Sequence, residues 1–365
     1  MFLFSLTLIT TVLLYIFWLR KLSPQTADGA IVMALGIMIN GTFQQINIFR
    51  DKLGLYFTIL LLAFILNLFY AYIREIYRGL FVHRHLENPI ASFAIGTWVA
   101  GISVSTISIS KYLPEAQTLT YLMFYFNLLL WGSYLVLIGR NYYKIFKQRD
   151  RLFKQTHGVL LLAAVATQSI VVSGNGLFHF NFPPYLSIIL ITLGVIFYFI
   201  GLILILVRYL WLNPGTLSDD WQNTNCIIHG AMSITGLASV LSHVVNVNIM
   251  ALIWLWIVIA FLIVETIEII RIFKRINRYG IKKGIFKYST SQWSRNFTFG
   301  MFLTFTINFS LAGSFLNNFF FQAIYHSIII GGKYIVIVLF AIELLLFSIE
   351  IVSQKQSLKE PQTSA

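Results

Sequence analysis

The chain has 365 residues, 58% of them hydrophobic and only 11% charged, with a mean hydropathy of +0.79. A soluble domain carries about 25% charged residues, so a water-facing surface of this size cannot be built, and soluble enzymes, nucleic-acid binders and disordered regulators are excluded as readings of the whole chain. The net charge of +13 does not by itself point to anionic partners, because Lys and Arg also collect on cytoplasmic loops for topological reasons.

From the N-terminus, Met1 to Trp18 is uncharged and apolar and is followed by Arg20 and Lys21. A cleavable signal peptide carries its positive charge before the apolar stretch, so residues 2–20 are predicted to be a retained transmembrane helix. Beyond it, apolar stretches of two kinds alternate. One kind is rich in small and polar uncharged residues: 29–46, 91–110, 157–176, 225–244 and 293–313. The other is dominated by Leu, Ile, Val and aromatics: 53–73, 120–139, 185–205, 249–268 and 334–353. Gly, Ser, Thr, Asn and Gln make up 40 of 99 residues in the first set and 15 of 102 in the second.

The polar-rich stretches start 62, 66, 68 and 68 residues apart, a fixed period that signals five repeated helical hairpins. Lipid tails cannot hydrogen-bond, so Leu-rich helices suit the lipid-facing position. Helices dense in Gly, Ser and Thr suit close interior packing or the lining of a wet cavity. The expected fold is therefore an all-α polytopic membrane protein, with ten core helices in five hairpins around an axis and one extra N-terminal helix. Composition alone leaves open whether that axis is a conduit or a tightly packed core. Its divisions are 1–23 for the extra helix, 24–353 for the core and 354–365 for a cytoplasmic tail. Of 26 Lys and Arg residues, 21 fall after Leu-rich stretches or in 20–28. By the positive-inside rule this predicts eleven spans, with the N-terminus outside and the C-terminus cytoplasmic in the cell membrane.

The stretch Phe93-Ala-Ile-Gly-Thr-Trp-Val-Ala-Gly101 resembles a segment of the tellurite-resistance/dicarboxylate transporter family, as do Val165-Ala-Thr-Gln-Ser169 and Gly230-Ala-Met-Ser-Ile-Thr-Gly236. Trp293-Ser-Arg-Asn-Phe297 with Gly300-Met301 is similar to that family's aromatic-plus-Phe-Pro-Leu-Gly-Met pattern, and Val32-Met33-Ala34-Leu35-Gly36-Ile37 matches loosely. These segments fall in order on five successive polar-rich stretches, and the resemblance covers roughly residues 24–353. The family includes plant slow-type anion channels, fungal malate and sulfite transporters and bacterial tellurite-resistance proteins. The resemblance implies ten helices around a central pore, a homotrimer with one pore per subunit, small anions as substrate, and a phenylalanine plug. The matching residue is Phe297, although Thr298 stands where the family usually has Pro or Gly. The alternative for Phe297 is a packed core aromatic.

Thr97, Gln168, Ser169, Ser233, Thr235, Asn296 and Thr298 are the candidate pore-lining donors, since weak neutral donors let an anion pass without trapping it. Their alternative role is to bond their own helix backbone one turn back. Arg295 is either an anion-attracting charge in the inner vestibule or a snorkelling interfacial arginine. Glu343 lies near the centre of a Leu-rich stretch, where a charge is expensive, and is a candidate for proton coupling or an interhelix hydrogen bond. His229 and His243 sit fourteen residues apart, about 21 Å along a helix, so they cannot share a metal; either is a proton-sensing candidate or a satisfied interior histidine. Lone Cys226 excludes an intrachain disulfide and a Cys-based metal cluster. Neither a metal nor another cofactor is called for. An anion channel or facilitative transporter needs no catalysis; its alternatives are proton-coupled efflux and, behind that, a membrane-embedded enzyme or a scaffold. The expected partners are small anions and membrane lipid, with no nucleic acid. The basic stretches Arg140–Lys154 and Arg271–Lys287 resemble interfacial segments on anionic headgroups.

Overall fold

The computed structural model describes residues 2–15, 23–178, 181–212 and 215–357. Those residues form helices and turns with no strand. Eleven principal helices follow one another: α1 (Phe2–Leu14), α2 (Gly29–Asn40), α3 (Gly54–Tyr77), α4 (Gly96–Tyr112), α5 (Gln117–Lys147), α6 (Leu162–Phe178), α7 (Pro184–Trp211), α8 (Ile227–Ser242), α9 (Val247–Gly284), α10 (Gln292–Asn308) and α11 (Phe319–Ser357). Nine spans among the described residues, those built on α2 to α9 and α11, are long and apolar enough to cross a membrane. The chain is a multi-pass membrane protein.

The even-numbered helices are the polar-rich ones, and they are the buried ones. In α2, α4, α6 and α8, 78% to 94% of the most apolar stretch is buried, against 22% to 50% in α3, α5, α7, α9 and α11. Each of those four helices is entered through a 3-10 turn, Thr26–Asp28, Ala91–Ile95, Gly158–Leu161 and Asn223–Cys226, so the sequence period reappears as a repeated local shape. Helix α2 packs on α4, α4 on α6, α6 on α8 and α8 on α10, and α10 returns to α2, closing a ring. Outside it, α3 lies against α2 and α4, α5 against α4 and α6, α7 against α6 and α8, α9 against α8, and α11 against α10, while α1 packs on α3.

Neighbouring ring helices run in the same direction. Gly29 faces Thr97 and Gly36 faces Val104; Gly96 faces Leu162, and Gly176 faces Ile107. Gly230 faces Thr298 and Gly236 faces Phe305; Gly300 faces Ile37, and Gly41 faces Thr304. In each pair of helices the partner number rises with the residue number. The backbones meet closely because one side lacks a side chain. At Gly230 a β-carbon would overlap the Thr298 methyl, the small-residue contact on which helices rely where lipid offers no hydrophobic drive.

Several boundaries differ from expectation. Helix α10 stops at Asn308 rather than near 313, because Phe309 turns extended and Gly313 takes φ 77° in the turn that follows. Helix α11 starts at Phe319, not 334, and so contains Lys333. Helix α1 is described only to Leu14, short of the expected 2–20, and residues 16–22 lie outside the described residues. In the tail expected at 354–365, helix continues through Ser357 and 358–365 lie outside the described residues. The two basic stretches are largely continuations of α5 and α9. In α9, Gly280 at φ 73° breaks the helix, so that its last residues turn back and the Gly284 carbonyl accepts from Arg275 Nε at 2.9 Å.

Candidate functional site

Contacts around α10 fix which of its faces looks down the ring. With about 100° between successive residues, Thr298 and Phe305 share the flank against α8, and Gly300 and Thr304 share the flank against α2. Phe299 packs on His229 and Phe261, Leu303 on Gly332 of α11, and Thr306 accepts from the Trp254 indole, so those three mark the outward face. The face that remains, between the flanks and opposite the outer helices, carries Phe297 and Met301. Both are 1% exposed, so water touches neither side chain. Thr298 itself lies on the α8 flank, and its hydroxyl donates to Arg295 O at 2.9 Å.

The other hydroxyls behave alike. Thr97 donates to Ala94 O, Ser169 to Ala166 O, Ser233 to His229 O and Thr235 to Ala231 O, all three or four residues back. Such bonds satisfy a buried hydroxyl within its own helix. Ser169 also accepts from Ser103 Oγ across the α4–α6 contact at 3.1 Å. Thr97 borders an apolar lateral groove of about 490 Å³ between α3 and α5. Gln168 points outward, donating to Ile191 O of α7 at 3.1 Å. The Asn296 side chain borders a polar chamber between α9, α10 and α11, and its Oδ1 has no hydrogen-bond partner among the described residues.

Charges gather on the outer side of α10. Arg295 Nη1 donates to Glu265 Oε2 at 3.0 Å, and its Nη2 stands 3.3 Å from Glu268 Oε2. Glu268 Oε1 in turn accepts from Arg271 Nη1 at 2.9 Å. The Arg295 charge is therefore balanced by two carboxylates of α9. His229 joins the same group, with Nε2 3.5 Å from Glu265 Oε1. His243 closes α8 in the left-handed conformation at φ 54°, away from His229. Glu343 borders the same chamber as Asn296, 3% exposed, and its Oε1 has no partner among the described residues.

The four segments carrying the sharper motifs thus fall on or at the mouths of ring helices α4, α6, α8 and α10, with the aromatic of the last on the axial face. The sequence profile described as "Voltage-dependent anion channel" matches residues 25–348. The chain belongs to the voltage-dependent anion channel family. The match begins after α1 and runs into the last turns of α11, so it takes in the whole ring. No curated protein matches the chain closely enough to count.

In this anion-channel family chain, the group that motif reading missed is the acidic pair on α9. Glu265 stands 30 residues from Arg295, so no local spacing reveals the pairing. The available signal was energetic: a lone arginine in an inner stretch needs a buried counter-charge, and Glu265 and Glu268 were the carboxylates at the matching end of the neighbouring helix. On the far side, Glu75 is a second such case. It is buried and bonded to His85 Nε2 at 2.7 Å and to Arg84, which packs His85 into a corner, while His83 stays exposed and pairs with Glu87.

Proposed function

We propose that the chain is a membrane anion channel or facilitative transporter. Inorganic anions or small organic acids of the dicarboxylate and oxyanion class pass along the axis of the five-helix ring, with Phe297 as the constriction. What supports this reading is that the α2, α8 and outer-helix contacts of α10 fall on its other faces, leaving the face of Phe297 and Met301 to be turned toward the axis. Family membership and the closed, parallel ring support it. The ring is shut as it stands, so passage requires the Phe297 ring to swing aside. The ring suits the task, since the one arginine of the inner helices is paired with glutamates and Lys111 lies only in the last turn of α4, leaving no free charge mid-helix to trap an anion. The basic end of the ring is cytoplasmic, the chain spans the membrane eleven times, and three copies assemble as family resemblance implies. Measured anion flux in vesicles containing Phe297→Ala tests the assignment: flux should rise, and unchanged flux in folded protein removes Phe297 from the gate.

A second reading, proton-coupled efflux, is favoured by one observation, the buried and incompletely bonded Glu343 carboxyl. Flux driven by a pH gradient and uncoupled from it in Glu343→Gln would establish this mode. Flux indifferent to the gradient leaves the channel reading alone.

A further inference from the structure

We propose that the chamber between α9, α10 and α11 is a binding site for a phosphomonoester carried on an apolar body, separate from the axis of the ring. The chamber holds about 530 Å³ at the basic end, beneath the connector that follows the Gly280 turn. Its wall has four cations, Arg271, Arg275, Lys287 and Arg295, and two carboxylates, Glu268 and Glu343. Arg295 and Arg271 are both engaged by Glu268. Arg275 and Lys287 have no carboxylate partner among the described residues, so the cavity keeps an excess of positive charge.

Five buried polar atoms on the same wall lack a hydrogen bond among the described residues; two of them, Glu268 Oε2 and Arg295 Nη2, face each other at 3.3 Å, and three are left over. Arg271 Nε, Asn296 Oδ1 and Glu343 Oε1 have no hydrogen-bond partner among the described residues, on residues 8%, 5% and 3% exposed. A buried donor or acceptor without a partner is costly, so these atoms describe what a guest must offer. Arg271 Nε, with Arg275 and Lys287, asks for anionic oxygens; Asn296 Oδ1 asks for a hydrogen. A phosphate monoester has both, two or three acceptor oxygens for guanidinium groups and, as the monoanion, one P–OH to donate. The opposite wall is apolar, formed by Leu339, Ile342 and Leu346 of α11, and accepts a hydrocarbon body. The same chemistry comes either from a soluble phosphate ester or from phosphatidic acid in the adjoining leaflet. Arg295 and Asn296 immediately precede Phe297, so a guest held here bears on the first turn of α10. The binding itself does not depend on whether the axis conducts.

The test is isothermal titration of the full chain in phosphatidylcholine nanodiscs, with phenyl phosphate and with inorganic phosphate. Phenyl phosphate should bind saturably, once per chain, and about tenfold or more tighter than inorganic phosphate, since only the former buries an apolar body. The double variant Arg275→Gln/Lys287→Gln, altered at the chamber rim, should weaken phenyl phosphate by about tenfold or more. Filling the chamber with Leu346→Trp should abolish binding. Absence of saturable binding, equal affinity for the two probes, or wild-type affinity in the rim variant each overturns the proposal. If Leu346→Trp does not fold, the rim variant decides. Nanodiscs with phosphatidic acid identify the source. Loss of phenyl phosphate binding there, but not with phosphatidylglycerol, assigns the lipid; binding unchanged in both assigns a soluble ester.

Discussion

Replacing Phe297 by Ala removes the one large aromatic on the axial face of α10 while leaving both helix flanks intact. The side chain is 1% exposed, and burying a Phe is worth about 1.5–3 kcal/mol relative to leaving it in water. If that burial is what holds the ring shut, its loss moves the closed-to-open balance by the same amount. At 1.4 kcal/mol per factor of ten, open occupancy and anion flux rise about 10- to 100-fold. The assay is chloride or malate efflux from proteoliposomes at matched protein content. Phe305→Ala is the control: that ring is also buried, but it faces Gly236 on the α8 flank and stacks on Phe309 at 5.5 Å. It should lower the melting temperature without raising flux. Flux in Phe297→Ala within twofold of wild type, in protein that melts cooperatively, refutes the reasoning and makes Phe297 a packing residue.

Three further outcomes follow from contacts described above. Gly230→Ala places a methyl on the Thr298 methyl and should destabilise by about 1–3 kcal/mol; Thr298→Ser keeps the hydroxyl, removes the nearest obstructing atom and should restore part of the melting temperature, since the β-carbon at 2.6 Å remains. Arg295→Gln leaves Glu265 without its arginine, while Glu268 keeps Arg271, and should cost about 3–5 kcal/mol, whereas Arg295→Gln/Glu265→Gln should recover part of that loss in the same thermal assay. Asp219 tethers the far end of α9, accepting from Tyr279 Oη at 2.7 Å and from Arg278 at 2.5 Å. The Tyr279 hydroxyl first, and Arg278 with it, hold this carboxyl below its usual value. The tether is therefore complete above the ordinary carboxylate range and is lost only as pH falls through the lowered value. Hydrogen exchange over residues 276–284 should stay slow at pH 5 and quicken there in Asp219→Asn; equal rates in the two proteins would show the tether is idle.

Much of the architecture was legible because solvation writes it into composition. Helices that touch only protein can carry many Ser, Thr and Gly residues, and helices that touch lipid carry few, so the division between α2, α4, α6, α8, α10 and their neighbours is legible in composition. What stayed hidden depends on three-dimensional direction. Gln168 resembles a lining residue by type and depth, yet it is directed outward by its bond to Ile191 O. Helix α11 begins fifteen residues before its expected start because Gly331-Gly332-Lys333 has the composition of a loop, while tertiary contact, such as Gly332 against Leu303, keeps it helical. The hydroxyls on the ring helices were ambiguous between conduction and self-satisfaction, and hydrogen-bond geometry draws all five toward their own backbone.

The common direction of the five ring helices has an electrical consequence. Each helix carries the equivalent of about half a positive charge at its N-terminus and half a negative charge at its C-terminus. In an antiparallel bundle these cancel from neighbour to neighbour; in this ring they reinforce. One mouth is ringed by partial positive charge and the other by partial negative charge, although the wall between them is neutral. If the ring conducts as proposed, it should rectify: an anion should enter more readily at the mouth ringed by helix N-termini than at the other. The current–voltage curve should bend even in identical solutions on the two sides.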